Sequence, residues 1–249
     1  MSIPANPQAM HGWFGYRHIP YQPGERGYAL AREIVELKLP KKEFFEITHM
    51  VETVRDGIDP WRPVFDCCSG HGLLGMLLAC DERLPKAVVL DQAFPPNRAR
   101  LFQALAGYEA SLVDRLEFVE RKLQDYRGFG PGAFVAAHAC GFATDYILEA
   151  ALRNRARFFI MTCCITRAVA RSYGLSSVHG LEQQINDLRL AKAMAAGYTV
   201  EKREIDGRIT PWNTILVGWP DEEERSPRGG LRPGLLPARL PPKLAREEG

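Results

Sequence analysis

Residues 64–75 read VFDCCSGHGLLG, and this stretch decides the fold. An apolar strand ends at Asp66, a loop with two glycines follows, and an apolar helix begins after Gly72. Gly70 and Gly72 allow the backbone to approach a ligand closely. The N–H groups at the start of the helix point towards such a ligand. The stretch therefore predicts the first strand, loop and helix of an α/β domain with a ligand at the loop.

The same rhythm continues along the chain. Apolar runs rich in β-formers, namely KAVVLD, LEFVER, GAFVAAH and RFFIMTC, alternate with segments of helical spacing. This alternation predicts a parallel sheet covered by helices. The last two strands, YTVEKREID and TPWNTILVGW, are joined by a short turn at Gly207 and should pair antiparallel. The sequence thus predicts seven strands, of which the last pair is antiparallel. A plain dinucleotide-binding sheet, by contrast, contains only parallel strands.

Two further segments flank this domain of residues 61–220. Residues 1–60 contain GYALAREIVELKL and KKEFFEITHMVETVRDGI, whose apolar spacing predicts an N-terminal helical extension. Residues 221–249 are rich in proline, glycine and arginine and show no periodicity, which predicts a disordered tail.

Composition limits the functional classes. The formal net charge is +2, so bulk charge gives no case for nucleic-acid binding. The start of the chain lacks the pattern of a signal peptide, and no run approaches the about 18 apolar residues of a membrane span. We therefore expect a cytoplasmic protein without a membrane partner. The six cysteines contain no C-x-x-C pair, which favours reduced thiols. The oligomeric state stays open.

The glycine loop allows three interpretations. GHGLLG is a literal G-x-G-x-x-G, and Asp91 follows Gly72 by 19 residues, near the spacing of a dinucleotide site. However, a dinucleotide loop begins directly after the apolar strand, whereas here Asp66 intervenes. S-adenosylmethionine carries an ammonium, a sulfonium and a ribose but no phosphate, so it suits Asp66 and Asp91. The third interpretation is an ordinary turn whose glycines serve only the backbone.

A second pair of motifs lies at the ends of later strands. HACGFATD, residues 138–145, and IMTCC, residues 160–164, resemble a branch of class I methyltransferases. In that branch, H-x-C-G/D-x-A-T-D ends the fourth strand and a C-C pair ends the fifth. The branch contains small bacterial methyltransferases and is similar to the catalytic domain of eukaryotic enzymes that 2′-O-methylate the tRNA acceptor stem. KKEFFEITHM and ITPWNTILVGW extend the resemblance over roughly residues 40–219.

The resemblance implies a fold and a cofactor. The expected fold is α/β, a Rossmann-like seven-stranded class I methyltransferase sheet with an antiparallel last strand and helices on both faces. The expected cofactor is S-adenosylmethionine. Its predicted binding residues are Asp66, Cys68, Ser69, Gly70, Gly72, Asp91, Gln92, Leu123 and His138. Cys68 replaces the first glycine of the usual D-x-G-x-G-x-G loop.

Ligands of open α/β sheets bind beyond the carboxyl ends of the strands. We therefore expect the methyl acceptor near the ends of the fourth and fifth strands, which we call the acceptor side. His138 is the first candidate for a catalytic base, because its unperturbed pKa lies near neutrality. Asp145 is the second candidate, or it orients His138 or sits at a helix start. The alternative for His138 is a residue that shapes the cofactor pocket.

Four more residues are candidates for the acceptor side, namely Cys140, Cys163, Cys164 and Asn213. The cysteines are expected to be small pocket-wall residues, with nucleophiles or metal ligands as alternatives. A metal would require the three cysteines and His138 to converge, and adjacent cysteines chelate one ion awkwardly. We therefore predict no metal. Asn213 lines the acceptor side or satisfies a turn.

These observations predict an S-adenosylmethionine-dependent methyltransferase. The resemblance favours RNA as the acceptor, through a ribose 2′-hydroxyl. A small molecule is the alternative, because the chain is barely basic. A third hypothesis is a catalytically inactive protein that binds the cofactor.

Overall fold

The computed structural model describes residues 28–175 and 180–221. The strands are β1 Val64–Cys67, β2 Ala87–Asp91, β3 Leu116–Glu120, β4 Ala133–Ala139, β5 Arg157–Thr162, β6 Tyr198–Glu204 and β7 Thr214–Pro220. The helices are α1 Tyr28–Glu36, α2 Lys41–Val54, α3 Leu73–Leu78, α4 Arg98–Tyr108, α5 Leu112–Arg115, α6 Ala143–Arg153, α7 Arg167–Ser172 and α8 Leu181–Ala195.

The seven strands form one sheet in the order β3-β2-β1-β4-β5-β7-β6. Strands β1 to β5 are parallel, and β7 pairs antiparallel with both β5 and β6. The chain runs outward from β1 to β3 and then returns to place β4 beside β1. A crevice opens at such a reversal, beyond the carboxyl ends of the strands. The predicted Rossmann-like seven-stranded fold with its antiparallel last strand is confirmed.

Helices cover both faces of the sheet. Val64 and Val135 pack with helices α1 to α5, whereas Phe65 and Phe134 pack with α6 and α8. Neighbouring residues of one strand therefore face opposite layers, as the pleat requires. Strands β1 and β5 are buried along their whole length, which explains their apolar sequences.

Helix α2 belongs to the same core as the sheet. Its residues Phe44, Phe45, Met50 and Val54 are buried together with residues of β1, β4 and β5. Each such side chain contributes about 1.5–3 kcal/mol of hydrophobic free energy. The sequence analysis assigned this helix to the extension of residues 1–60, but its packing ties it firmly to the domain. This attachment matters because α2 also carries two carboxylates into the site.

The link between β3 and β4, the end of the described chain and the lengths of the helices complete the description of the fold. The link between β3 and β4 holds a single 3-10 turn, Leu123–Asp125. Of the predicted tail, only Asp221 lies within the described residues. Among residues 28–175 and 180–221, no helix is long and apolar enough to cross a bilayer.

Candidate active site

The loop after β1 is shaped by three left-handed residues. Cys68, Gly70 and Gly72 have φ angles of 57°, 54° and 77°. A Cβ atom on Gly72 would lie 2.7 Å from the Val89 side chain, whereas one on Gly70 would meet no atom within 4 Å. Gly72 is therefore needed for packing against β2. Gly70 instead leaves open space at the surface of the loop, where a ligand can approach the backbone.

Asp91 ends β2 and holds the same loop. Its Oδ2 accepts the N–H of Gly70 at 2.9 Å, and its Oδ1 accepts the N–H of Ala93 at 3.3 Å. The side chain is only partly buried. Each carboxylate oxygen has a second lone pair. Asp91 can therefore accept hydrogen bonds from a ligand without releasing the loop.

Asp66 lies beneath the loop and is fully buried. Its Oδ2 accepts the N–H of Gly75 at 2.8 Å, and its Oδ1 has no hydrogen-bond partner among the described residues. Burial raises the pKa of Asp66 to about 7, although the Gly75 hydrogen bond acts in the opposite direction. Asp66 does not line the cleft that opens beyond the carboxyl ends of β1 to β4. The side chain turns towards α3 and holds the loop from below, and its direct contact with a cofactor stays a prediction.

A cleft of about 480 Å³ opens beyond the carboxyl ends of β1 to β4. Its lining comprises Cys68, Leu90, Asp91, Gln92, Arg121, Lys122, Leu123, Gln124, His138, Cys140, Ala143 and Tyr146. The volume lies within the range of about 300–1,000 Å³ found for small-molecule sites. Of the predicted cofactor residues, five line this cleft, and Ser69, Gly70 and Gly72 form the loop that adjoins it. The Ser69 Oγ is buried and has no hydrogen-bond partner among the described residues.

His138 occupies a bulge in β4. The pairing of β4 with β5 shifts register around it, and its φ angle is 65°. Its Nε2 lies 2.6 Å from Oε2 of Glu46, a carboxylate on α2. Burial lowers the pKa of His138, but the hydrogen bonds to Cys163 and Glu46 outweigh burial and raise the pKa to about 9. These partners favour the protonated imidazole, which differs from the near-neutral pKa expected from the sequence.

Glu46 is a site residue that the sequence analysis missed. It lies on α2, 92 positions before His138, and its side chain is 2% exposed. The same helix places Oε1 of Glu43 2.9 Å from Nδ1 of His71, in the glycine loop. Two carboxylates three positions apart on one helix face were a signal in the sequence. Their histidine partners were not, because those contacts depend on how α2 packs against the sheet.

Asp145 is engaged in an ion pair in the first turn of α6. The fully buried Arg189 donates to Oδ1 at 3.0 Å and to Oδ2 at 2.8 Å, and the Tyr173 hydroxyl donates to Oδ1 at 2.5 Å. Asp145 does not line the cleft. Asp145 thus contacts Arg189 and Tyr173, whereas the carboxylate that contacts His138 is Glu46, and a catalytic role for Asp145 stays a prediction. The predicted alternative, a carboxylate at a helix start, agrees with its position.

The three cysteines of the acceptor side converge. Cys140 follows β4, Cys163 and Cys164 follow β5, and their Sγ atoms all lie within 4.8 Å of one another. The hydrogen bond from His138 lowers the pKa of Cys163 to about 6, whereas burial raises the pKa of Cys140. His138 thus favours the thiolate form of Cys163. Such a group is more reactive than the pocket-wall residue expected from the sequence.

Asn213 lies just before β7 and closes the connection from β6. Its Nδ2 donates to the carbonyl of Ile205 at 3.0 Å, and the N–H of Ile205 donates to the carbonyl of Asn213 at 3.0 Å. Asn213 is not part of the cleft lining. Its hydrogen bonds correspond to the turn-satisfying alternative. Asn213 nevertheless precedes Thr214, whose carbonyl accepts from Thr162 at the end of β5, so a place near the acceptor side stays a prediction.

Comparison with known proteins gives two sets of similar chains. The glutathione S-transferase C-terminal domain-containing protein of Xenopus laevis is 27% identical over 188 residues, which cover 72% of this chain and 30% of that protein. The protein of the same name from Bos taurus is 30% identical over 120 residues, which cover 48% of this chain and 18% of that protein. This chain therefore spans less than a third of the length of these relatives.

Solved structures with similar chains include an O-methyltransferase family protein from Burkholderia thailandensis. That structure has 17% sequence identity, a TM-score of 0.43 and coverage of 85% of this chain and 64% of its own. TrmK of M. capricolum in complex with S-adenosyl-homocysteine has 12% identity, a TM-score of 0.45 and coverage of 72% and 69%.

A family model described as "Methyltransferase domain" matches residues 42–172, from the start of α2 to the end of α7. This match contains the glycine loop, Asp91, Glu46 and His138, and it covers more than half of the 249 residues. The chain therefore belongs to this family of methyltransferase-domain proteins.

Proposed function

We propose that the chain transfers a methyl group from S-adenosylmethionine. The observation that carries this proposal is the position of Asp91, which borders the cleft and accepts the N–H of Gly70. A carboxylate at this strand end suits the ribose of S-adenosylmethionine, whose hydroxyls are hydrogen-bond donors. A dinucleotide would bring its pyrophosphate to a loop whose Gly70 N–H already donates to Asp91, and the carboxylate would repel it.

The residues of the cleft fit this cofactor. Asp91 would accept hydrogen bonds from the ribose hydroxyls through its remaining lone pairs. Leu123 would contact the adenine ring. The unpartnered Oγ of Ser69 and the open surface at Gly70 would hold the amino-acid end.

When bound, S-adenosylmethionine supplies an electrophilic methyl group on its sulfonium. The contribution of the chain is to hold the acceptor in line with that methyl group. The side chains of His138 and Asp145 are already engaged with Glu46 and Arg189. His138 therefore acts as a positioning residue, fixed by Glu46, that shapes the wall of the cleft.

We infer that the acceptor is RNA, with a ribose 2′-hydroxyl as the methylated group. The choice of a ribose 2′-hydroxyl rests on the resemblance of residues 138–145 and 160–164 to the motifs of the methyltransferase branch named above. Four exposed side chains support an RNA partner. Phe142 and Tyr146 are 40% and 41% exposed beside the acceptor side, and Arg167 and Arg171 are exposed on successive turns of α7. Exposed rings stack on unpaired bases, and arginines contact phosphates.

A labelling experiment tests this function. The protein is incubated with S-adenosylmethionine labelled in its methyl group and with cell extract, and RNA and small molecules are then separated. We expect label in RNA that survives alkaline hydrolysis, because a 2′-O-methyl group blocks cleavage of the next phosphodiester. Asp91→Asn should abolish labelling, whereas Asp114→Asn, which alters an exposed carboxylate on α5, should retain it.

The other outcomes identify the two alternatives. Label confined to small molecules would replace RNA by a small-molecule acceptor, which suits the formal net charge of only +2. Cofactor binding without any labelled product would make the chain a binding protein.

A further inference from the structure

The three cysteines of the acceptor side form a cluster with the spacing of metal ligands. The Sγ atoms of Cys140, Cys163 and Cys164 all lie within 4.8 Å of one another, and all three thiols are free. Zn²⁺ binds thiolates at about 2.3 Å, so sulfurs of one tetrahedral site lie about 3.8 Å apart. The observed limit of 4.8 Å requires only small side-chain movements to reach that spacing.

The adjacency of Cys163 and Cys164 is no obstacle here. Successive side chains of a regular strand point to opposite faces, but β5 ends at Thr162 and both cysteines lie in the loop beyond it. The N–H of Gly141 donates to the carbonyl of Cys164 at 3.4 Å, which joins this loop to the one after β4. The backbone thus brings two adjacent thiols and a distant third to one point.

His138 adjoins the three cysteines, but its ring nitrogens do not lie within 4.8 Å of all three sulfurs, so a movement of the ring is needed to complete a four-ligand site. Its Nε2 is held by Glu46 at 2.6 Å, which leaves Nδ1 as the nitrogen that can bind a metal. Histidine ligands of metals commonly give their other ring nitrogen to a carboxylate, which fixes the orientation of the ring. Cys140 and Cys164 are exposed, so an ion can reach the cluster.

We propose that Cys140, Cys163 and Cys164 bind one Zn²⁺ ion, with His138, oriented by Glu46, as the fourth ligand. Thiolate and imidazole ligands select zinc over magnesium or calcium. Zinc binding by these residues does not require S-adenosylmethionine, because every ligand is a side chain of this chain. Zinc would lock the ends of β4 and β5 together at the acceptor side of the cleft.

Metal binding by the full-length chain tests the proposal. The protein is purified under reducing conditions without chelators, and bound zinc is measured by mass spectrometry. The metal-free protein is then titrated with Co²⁺ in the absence of S-adenosylmethionine. We expect one zinc per chain, together with the thiolate-to-cobalt charge-transfer absorption and the visible bands of a tetrahedral site.

Variants assign the ligands. Cys140→Ser, Cys163→Ser and Cys164→Ser should each weaken Co²⁺ binding by more than tenfold, and His138→Ala should shift the visible bands. Glu46→Gln should weaken binding by about 10- to 100-fold, as expected for a residue that orients a ligand. Cys80→Ser is the matched control, since Cys80 is a free cysteine outside the cluster, and it should bind like the wild type. Circular dichroism establishes that each variant is folded.

Two results would overturn the zinc site. One is a reduced, folded wild-type protein that binds neither Zn²⁺ nor Co²⁺. The other is Co²⁺ binding that all three cysteine variants retain at wild-type strength. Unchanged cobalt bands in His138→Ala would remove His138 from the ligand set.

Discussion

The cofactor side of the cleft (residues 68–72 with Asp91) and its acceptor side are held by different kinds of interaction. On the cofactor side, the backbone N–H of Gly70 donates to Asp91 only 21 positions away, and the one side-chain pair described there, His71 with Glu43, spans 28 positions. On the acceptor side, side chains pair over long separations. His138 meets Glu46 across 92 positions, and Asp145 meets Arg189 across 44.

This difference has a consequence for mutation. A loop held by backbone hydrogen bonds tolerates most changes of side chain. It is destabilised only where a new Cβ atom overlaps a neighbour or a charge becomes buried. A cluster held by buried ion pairs depends on every partner, because removal of one leaves an unpaired charge behind. We therefore expect the largest losses of stability on the acceptor side.

The largest effect is expected for Asp145→Ala. The substitution leaves Arg189 fully buried without its carboxylate, so the free energy of unfolding should fall by about 3–5 kcal/mol. Glu149→Ala is the matched control, because Glu149 joins the same two helices through an exposed pair with Lys192 at 2.7 Å. It should cost at most about 1 kcal/mol. Urea denaturation measures both values. If Asp145→Ala is as stable as the wild type but no longer transfers methyl groups, Asp145 is a catalytic residue.

A similarly large effect should depend on pH at Asp66. Its pKa rises from 3.8 to about 7 in the folded chain, so the folded state keeps a proton that the unfolded state releases. The stability of the wild type relative to Asp66→Asn should therefore fall as the pH rises from 4 to 8, by up to about 4 kcal/mol. Thermal unfolding of both proteins across this range measures the difference. A constant difference would show that Asp66 is charged in the folded protein.

A smaller effect should separate two glycines of the loop. Gly70→Ala and Gly72→Ala both place a side chain at positive φ, which costs about 1–2 kcal/mol. Only Gly72→Ala also brings a Cβ within 2.7 Å of Val89, and this overpacking should cost a further roughly 1–3 kcal/mol. Denaturant titration should therefore rank Gly72→Ala below Gly70→Ala in stability. The opposite order would mean that Val89 moves aside without cost.

The sequence predicted the parts of the molecule that depend on short-range pattern. The number of strands, the antiparallel pair β6–β7 and the loop at Gly70 and Gly72 follow from apolar periodicity and glycine spacing, whereas the strand order was expected only from the resemblance to class I methyltransferases. The position of Asp91 at the cleft was also predicted, because the residue that ends a parallel strand lies at the edge of the sheet where ligands bind.

The acceptor side was predicted only as a list of residues. Glu46 was missed, because nothing local to α2 indicates that His138 will face it. Asp145 was assigned to catalysis, since its buried partner Arg189 lies on another helix. The cysteines were expected to line a wall, because the irregular backbone after β5 that brings their sulfurs together has no sequence period.

The most direct test of the central claim is calorimetric titration of three ligands into the purified chain, namely S-adenosylmethionine, S-adenosylhomocysteine and NADH. We expect the first two to bind and NADH to give no heat. Asp91→Ala should weaken S-adenosylmethionine binding by at least about tenfold, because the ribose hydroxyls lose a charged acceptor. Asp114→Ala should bind like the wild type. Binding of NADH, or S-adenosylmethionine binding that Asp91→Ala leaves unchanged, would contradict the account.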